Sequence, residues 1–308
     1  MPAIPEFLTT KCARPAEQAR VEASAACLLV RVYPLEEMER PVELSAAARL
    51  IGREQHCTLQ LADESVSRRH AMLEYDGRTH VVTDLGSTNG TYVNEQRVTG
   101  GRALAAGDRV RFGNQIFKYL TADGIEAQYH EVVFKMMTTD GLTSAYNKRY
   151  FLETLERELQ QSHRSASPLC VMMADLDKFK SINDTYGHLA GDTVLVEFAR
   201  RARSVLRGGE LLARYGGEEF VLLMTRATLE EAAVVAERMR EIVAAEPVRF
   251  ESTFIPMTVS IGIACFDGVA VRDCAELLAE ADQYLYAAKR AGRNQVQYPR
   301  EAAIYATV

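Results

Sequence analysis

The sequence lacks a segment that could hold the chain in a membrane or direct it out of the cell. Its longest apolar runs, such as those that include 27–30 and 221–224, are far shorter than the roughly 20 residues that a membrane-spanning helix needs. The first residues show no basic segment followed by an apolar stretch, so we expect no secretory signal. These absences predict a cytoplasmic protein.

The sequence also lacks any CxxC pair. Its six cysteines occur singly, which suits a reducing compartment and disfavours both a zinc centre and a disulfide framework. We expect all of them to be small apolar fillers: Cys12, Cys27, Cys57, Cys170, Cys265 and Cys274.

There is no excess of positive charge, and the net charge of -6 disfavours a general nucleic-acid or anionic-membrane coat. A local basic pocket for phosphates remains compatible with it. The 47% hydrophobic and 25% charged residues are typical of a folded soluble protein. At about 100 to 200 residues per domain, 308 residues predict two domains.

The pattern changes along the chain. Residues 1–24 form a tail without strong periodicity, apart from a possible helical turn at 16–22, and this tail contains Thr9 and Thr10. Residues 25–120 carry short, often alternating apolar runs broken by Gly, Asp and Asn, which is typical of an all-β sandwich. The strands are expected at 28–33, 71–75, 80–83, 110–112 and 115–119.

Residues 121–139 predict a linker helix, because four apolar residues recur at steps of four and three: Ile125, Tyr129, Val132 and Met136. A helix this short is marginal alone, so it should dock onto a domain or pair with its copy in a dimer. Over 140–300 helices and strands alternate, which predicts an α+β domain, and 301–308 form a second tail. We expect helices at 148–163, 193–206, 229–244 and 274–291, strands at 169–174 and 257–266, and a hairpin with arms 211–215 and 220–224.

Three motifs lie in order on predicted loops of the first domain: Gly52-Arg53, Ser67-Arg68-Arg69-His70 and Leu85-Gly86-Ser87-Thr88-Asn89-Gly90-Thr91. At these residues the sequence resembles a forkhead-associated (FHA) domain, a phosphopeptide reader. The resemblance implies that Arg53 and Ser67 contact the phosphate, that Thr88 and Asn89 hold the ligand, and that His70 braces the loop.

The same residues suit a phosphate on chemical grounds, because a phosphate dianion binds a guanidinium together with hydroxyl and amide donors. Such donors are Arg53, Ser67, Arg68, Thr88 and Asn89. Taken singly, Asn89-Gly90 could be only a tight turn and Ser67 only a loop cap. The resemblance implies a phosphothreonine peptide as ligand, whose source is left open: another protein, or the chain's own tail. For the tail, the hypothesis is that a Ser/Thr kinase phosphorylates Thr9 or Thr10, which then docks in its own chain's pocket or in that of its dimer partner.

A second set of motifs occupies the last domain: Asp140-Gly-Leu-Thr, Ala174-Asp175-Leu176-Asp177-Lys178-Phe179-Lys180-Ser181-Ile182-Asn183-Asp184, Tyr186-Gly187-His188, Gly191-Asp192, Arg214-Tyr215-Gly216-Gly217-Glu218-Glu219-Phe220 and Ala287-Ala288-Lys289-Arg290-Ala291-Gly292-Arg293-Asn294. From about Asp140 to Tyr298 the sequence closely resembles the GGDEF family of diguanylate cyclases, in a GGEEF form. The resemblance implies a nucleotide-cyclase-like domain that converts two GTP to cyclic di-GMP and two pyrophosphates.

The residues themselves point to magnesium chemistry. Asp175 follows a predicted buried strand and Glu218 lies at the Gly216-Gly217 turn, so both carboxylates should reach one rim of the sheet. The resemblance assigns two Mg²⁺ per site, with Mn²⁺ as an alternative, to Asp175, Leu176 and Glu218, with Glu219 in support. Which glutamate takes the proton from the attacking hydroxyl is left open.

The resemblance implies that Asn183 and Asp192 select guanine, because a carboxylate can accept hydrogen bonds that adenine cannot donate. Leu142 is expected to be either core or a wall of the base pocket. Lys289 and Arg293 are four residues apart on the last predicted helix and should share a face as a phosphate clamp. Lys180 and Phe179 are further candidates for the phosphates.

Two GTP-bearing protomers must face each other, so the resemblance also implies a homodimer. Where many relatives have an inhibitory RxxD motif, this sequence has Arg207-Gly208-Gly209-Glu210, which with Arg238 leaves product feedback open. Two alternatives are a degenerate GTP or cyclic di-GMP receptor and a phosphopeptide scaffold.

Overall fold

The computed structural model describes residues 27–34, 41–121, 124–207, 209–269 and 272–299. The chain divides into two compact units, Met1–Phe134 and Lys135–Val308. Thr9, Thr10 and the predicted turn at 16–22 lie outside the described residues. Within the described ranges, no helix is both long and apolar enough to cross a membrane.

The first unit is built from short strands that form two sheets. The strands are β1 Cys27–Tyr33, β2 Val42–Leu44, β3 Arg49–Gly52, β4 Leu59–Gln60, β5 Ala71–Tyr75, β6 His80–Asp84, β7 Thr91–Val93, β8 Gln96–Arg97, β9 Gly101–Ala103, β10 Arg109–Phe112 and β11 Gln115–Thr121. One sheet has the order β2-β1-β11-β10-β7-β8 and the other β4-β3-β5-β6-β9. Side chains from both sheets, including Leu29, Ile51, Leu73 and Phe117, share one core. The predicted all-β sandwich is confirmed.

The linker helix α1 spans Ile125–Thr138. Ala127, on the face opposite the predicted apolar stripe, packs with Leu28, Val30 and Leu120 of the first unit. The stripe itself is exposed, with Ile125 88%, Tyr129 66%, Val132 48% and Met136 76% accessible. The helix therefore docks through its small residue and leaves the heptad-like stripe on the surface.

The second unit is a six-stranded sheet with helices on both faces. Its elements are β12 Tyr146–Asn147, α2 Lys148–Ser165, β13 Leu169–Leu176, α3 Phe179–Tyr186, α4 His188–Val205, β14 Leu211–Gly216, β15 Glu219–Thr225, α5 Leu229–Ala245, β16 Val248–Phe250, β17 Thr253–Ile255, β18 Val259–Phe266, α6 Cys274–Arg290 and β19 Val296–Gln297. The sheet order is β12-β14-β15-β13-β18-β19, and its four central strands are antiparallel.

The central strand β13 is buried along its whole length because each of its faces packs into a different core. Cys170, Met172 and Ala174 belong to the core under α4 and α5, whereas Val171 and Met173 belong to the core under α2 and α6. A strand covered on both faces is apolar throughout rather than alternating. The predicted α+β domain is confirmed, with helices on both faces.

The structure corrects the cysteine prediction. Cys170 of β13 and Cys265 of β18 are direct neighbours across the antiparallel pair, and their sulfur atoms form a disulfide. The interpretation of all cysteines as unpaired fillers is therefore wrong for these two. Directly opposed residues on neighbouring strands bring their Cβ atoms close enough for such a bond, a proximity that sequence spacing does not reveal.

Candidate functional site

Acidic side chains meet at the end of β13. Asp175 pairs directly with Glu219 of β15 and with Ser260 of β18, and directly paired residues present their side chains on the same face. Asp175 is only 8% exposed, and the Nζ atom of Lys289 lies 2.8 Å from its Oδ2. The predicted acids Asp175 and Glu219 are thus neighbours in the sheet.

The electrostatics of this cluster favour a cation. Burial raises the pKa of Asp175 above its ordinary value, the ion pair with Lys289 opposes that rise, and the negative charges of Glu218 and Glu219 add to it. Carboxylates that share a partly buried place disfavour one another's ionisation. A bound cation would relieve this repulsion.

Glu218 lies at the turn between β14 and β15, and its carbonyl accepts a long hydrogen bond from the Leu176 N–H at 3.4 Å. Arg214 braces the turn by donating from Nε to the Gly217 carbonyl at 2.9 Å, and it also reaches both oxygens of Asp140 at 3.3 Å. Burial would raise the pKa of Asp140, but hydrogen bonds from Thr143 and the charge of Arg214 hold it low. No role was predicted for Asp140 and Arg214, and only their place in the motifs indicated them.

The donor set fits a hard divalent cation that binds together with a substrate. Among the described residues, no three or more His, Cys, Asp or Glu side chains form a ready-made metal cage. Magnesium, however, often takes only one or two protein carboxylates and completes its shell with water and substrate phosphate. Asp175 and Glu218 supply that number of oxygen donors.

The predicted guanine residues lie on consecutive helices. Asn183 is on α3 and Asp192 is in the second turn of α4, where it is exposed. The Oδ1 atom of Asn183 is buried without a hydrogen-bond partner, and it lies so close to Gly191 that a Cβ there would be 1.9 Å away. A buried unpaired acceptor is costly unless a ligand satisfies it. Leu142 is 36% exposed in the loop after Asp140.

The start of α3 presents backbone donors next to these acids. Its N-cap residue, Lys178, has a left-handed backbone (φ 57°) and makes no side-chain capping bond to the first helical N–H groups. Uncapped N–H groups at a helix start suit a phosphate. Lys180 is exposed there, whereas the Phe179 side chain is 7% exposed and packs in the core. Phe179 can thus offer a phosphate only its backbone.

The predicted helical face shared by Lys289 and Arg293 is wrong. Helix α6 ends at Arg290, and Gly292, Arg293 and Asn294 all have positive φ angles, of 123°, 69° and 45°. The Arg293 N–H closes the helix end by donating to the Ala288 carbonyl at 3.0 Å. The glycine permits this left-handed exit, which spacing alone does not predict. Arg293 is exposed on the turn, while Lys289 is in the ion pair with Asp175.

A separate cavity of about 450 Å³ is lined by Arg207, Glu210 and Arg238, the residues for which the sequence left product feedback open. The Glu210 carboxylate accepts from the Arg207 N–H. Glu210, which is one methylene longer than the Asp of the RxxD motif, therefore makes a hydrogen bond within its own loop.

In the first unit, the loops after β3, before β5 and after β6 bring the predicted phosphopeptide residues together. The Arg53 N–H donates to the Ser67 carbonyl at 3.1 Å, and the Thr88 N–H donates to Ser67 Oγ at 3.0 Å. Arg68 lies 4.0 Å from Glu54, and Asn89 donates to the Ser65 carbonyl at 2.7 Å. Arg53, Arg68, Thr88 and Asn89 are exposed.

The buried His70 and the half-buried Asp84 hold these loops. His70 accepts from the Ser67 N–H at 3.1 Å and lies 3.2 Å from the Gly90 carbonyl, which confirms its bracing role. Asp84, which the sequence analysis missed, accepts from Gly86, Ser87 and Thr91 at 2.6 to 3.1 Å. Burial alone would raise the pKa of Asp84, but these hydrogen bonds hold it below its ordinary value.

Comparison with protein families gives one match for each unit. The model described as "Diguanylate cyclase, GGDEF domain" matches residues 137–295, and the FHA domain model matches residues 49–113. The first match covers slightly more than half of the chain.

Among characterised proteins, the chain is 42% identical over 152 residues to diguanylate cyclase DgcP of Pseudomonas aeruginosa, covering 49% of this chain and 22% of that protein. It is 38% identical to diguanylate cyclase A of Treponema denticola, covering 48% of this chain and 41% of that one. The chain thus spans less than half the length of these relatives. A crystal structure of the coiled coil and GGDEF domain of DgcB from Caulobacter crescentus with c-di-GMP is 32% identical, with a TM-score of 0.53 over 56% of this chain and 91% of that one.

Proposed function

Because this chain belongs to the GGDEF family of diguanylate cyclase domains, we propose that it condenses two molecules of GTP into cyclic di-GMP and two of pyrophosphate. The observation that carries the proposal is the acidic cluster at the end of β13, where Asp175 pairs directly with Glu219 of β15 and Glu218 precedes it at the turn. We assign residues 25–120 to peptide recognition, 121–139 to the linker and 140–300 to catalysis, between tails at 1–24 and 301–308.

In each half-reaction the 3′-hydroxyl oxygen of one GTP forms a bond to the α-phosphorus of the other, and the bond from that phosphorus to pyrophosphate breaks. Divalent cations, Mg²⁺ by preference, would bind at Asp175, Glu218 and the Leu176 backbone and neutralise phosphate charge. Glu218 or Glu219 takes the hydroxyl proton. Because each GTP attacks the other, two protomers with one GTP each form the active homodimer.

Guanine recognition rests on Asn183 and Asp192. The unpaired Asn183 Oδ1 is a ready acceptor, and the Asp192 carboxylate accepts from the N1–H and N2–H groups of guanine. Adenine has neither donor, so ATP could not make these hydrogen bonds to the buried Asn183 Oδ1 and the exposed Asp192 carboxylate. Leu142 forms the apolar wall of the base pocket.

The triphosphate is held by the start of α3 and by cations. The backbone N–H groups at Phe179 and Lys180 suit a phosphate oxygen. Lys180 and Arg293 are exposed, and Lys289 can leave its ion pair with Asp175 when a cation takes its place.

The first unit provides regulation in this proposal. It binds a phosphothreonine peptide through Arg53, Ser67, Arg68, Thr88 and Asn89. The peptide comes from a partner, or from Thr9 or Thr10 after phosphorylation by a Ser/Thr kinase.

The cavity lined by Arg207 and Arg238 binds the product cyclic di-GMP. Glu210 does not contact the product, because its carboxylate accepts from the Arg207 N–H within the same loop. Calorimetry of product on nucleotide-free protein tests that cavity, and a single binding stoichiometry per protomer would count against it.

The direct test of the reaction is incubation of the purified protein with GTP and Mg²⁺, followed by chromatography. We expect cyclic di-GMP and two pyrophosphates per product molecule. GTP binding without turnover would instead favour a degenerate receptor, and phosphopeptide binding without either would favour a scaffold.

A further inference from the structure

Asp177 follows β13 directly, two residues beyond Asp175, and is 8% exposed. Its Oδ1 accepts from Ser260 Oγ at 2.7 Å. Its Oδ2 accepts from Thr258 Oγ1 at 2.7 Å and from the Asn294 N–H at 2.9 Å. The carboxylate therefore joins the end of β13 to β18 and to the turn after α6.

The turn that Asp177 holds has an unusual backbone. Arg293 and Asn294 both have positive φ although neither is glycine. Such residues are strained and persist where surrounding contacts fix them. Asp177 provides one of those contacts through a charge-assisted hydrogen bond to the Asn294 N–H, and the Arg293 N–H to the Ala288 carbonyl provides another.

The location of this turn gives the contact a function. It carries Arg293, whose side chain is exposed, and it follows Lys289, which pairs with Asp175. We propose that Asp177 is a positioning residue that fixes the Arg293 turn relative to the acidic cluster, so that Arg293 meets the triphosphate of bound GTP. This inference rests on the proposed function.

A double-mutant cycle separates positioning from simple stabilisation. We expect Asp177→Ala to raise the KM for GTP about tenfold, the effect of losing one charge-assisted hydrogen bond, with a smaller change in kcat. Arg293→Ala should raise KM similarly. The KM of the double variant should be no higher than that of Arg293→Ala alone. Once the Arg293 side chain is removed, loss of the residue that positions it has no further effect.

Ser260→Ala is the matched control, since it removes the hydroxyl that donates to the other oxygen of Asp177 and leaves the Asn294 bond in place. It should keep the wild-type KM. Asp177→Asn should restore most of the affinity, because its amide oxygen can face the Asn294 N–H while its NH₂ group donates to the Ser260 hydroxyl. If Asp177→Ala does not fold, Asp177→Glu serves instead, since it keeps the charge but moves the oxygens by a methylene.

Hydrogen exchange of the Asn294 amide gives a readout that does not need turnover. Exchange should accelerate in Asp177→Ala and stay slow in Ser260→Ala. An unchanged exchange rate, or KM effects of Asp177→Ala and Arg293→Ala that multiply in the double variant, would overturn the inference. If the wild type makes no product, the proposed function fails, and the exchange result alone then decides whether Asp177 holds the turn.

Discussion

At the scale of single residues, Asp175 is a carboxylate that the metal-free fold disfavours in its charged form. Because folding raises its pKa, its contribution to stability is present below its ordinary pKa of about 3.9 and is lost as pH rises through the raised value. Ionisation of Asp175 in the fold without a cation therefore costs free energy, which a bound cation would offset.

This predicts that Asp175→Asn raises the midpoint of thermal unfolding of the metal-free protein at neutral pH by a few degrees. The gain should disappear at acid pH, where the wild-type carboxyl is protonated. Differential scanning calorimetry across that range is the measurement, with the exposed Asp184→Asn as control. A variant less stable than wild type at neutral pH would show that the Lys289 ion pair dominates instead.

Gly191 is the second residue-scale determinant, because a Cβ there would lie 1.9 Å from Asn183 Oδ1. Gly191→Ala should displace Asn183 and raise the KM for GTP by about tenfold or more, as expected for a lost base contact. Steady-state kinetics measure this. Gly100→Ala is the control, since a Cβ at that glycine meets nothing within 4 Å. Equal KM values for wild type and Gly191→Ala would remove Asn183 from base recognition.

At the scale of elements, different residues in the loops of the first unit hold the loop conformation and contact the proposed peptide ligand. The Asp84 carboxylate accepts hydrogen bonds from Ser87 and Thr91 within one loop. Arg53 has an exposed side chain, and its backbone N–H donates to the Ser67 carbonyl of the next loop. Truncation of Asp84, which accepts several hydrogen bonds, should therefore affect stability, whereas truncation of the exposed Arg53 guanidinium should affect only peptide binding.

We predict that Asp84→Ala lowers the free energy of unfolding by about 2 kcal/mol and abolishes phosphothreonine-peptide binding. Arg53→Ala should lose binding with wild-type stability. Urea unfolding and fluorescence anisotropy with a phosphothreonine peptide and its unphosphorylated form check both. Retained binding in Arg53→Ala would exclude this loop as the phosphate site.

Periodicity predicted the long elements well. The predicted helix at 148–163 is α2 at Lys148–Ser165, and the hairpin arms are β14 and β15. Helix α3 and the first turn of α4 escaped prediction because Gly187, with φ 85°, separates two short polar segments that show no continuous apolar stripe. The short strands β12, β16, β17 and β19 have only two or three residues, too few for a period.

The sequence predicted those parts of the candidate site in which residue type alone indicates the chemistry, such as the acidic residues. The strand and turn pattern predicted Asp175 and Glu218 at one sheet rim, with Glu219 in support. The register pairs Asp175 directly with Glu219, the residue after Glu218. Arg293 was misplaced because the helix exit depends on backbone angles. Asp177 acts through a hydrogen bond to the backbone of Asn294, 117 residues away in sequence. Arg214 and Asp84 act through hydrogen bonds to backbone groups three residues away, in turns whose conformation one sequence does not display.

At the scale of the whole molecule, the proposed reaction needs two GTP-bearing protomers. Specific activity should therefore rise with protein concentration and reach a plateau once dimers dominate. Initial rates over a dilution series, with sedimentation at the same concentrations, measure this. Constant specific activity down to concentrations at which sedimentation shows only monomer would contradict a dimeric active site.

The central claim is that the acids at the end of β13 turn over GTP. It is tested most directly by the rate of cyclic di-GMP formation at saturating GTP and Mg²⁺ in wild type and Asp175→Asn, which differ in one charge. The account predicts product from the wild type and a rate lower by about a hundredfold or more in the variant. Comparable rates in the two proteins, or no product from the wild type, would contradict it.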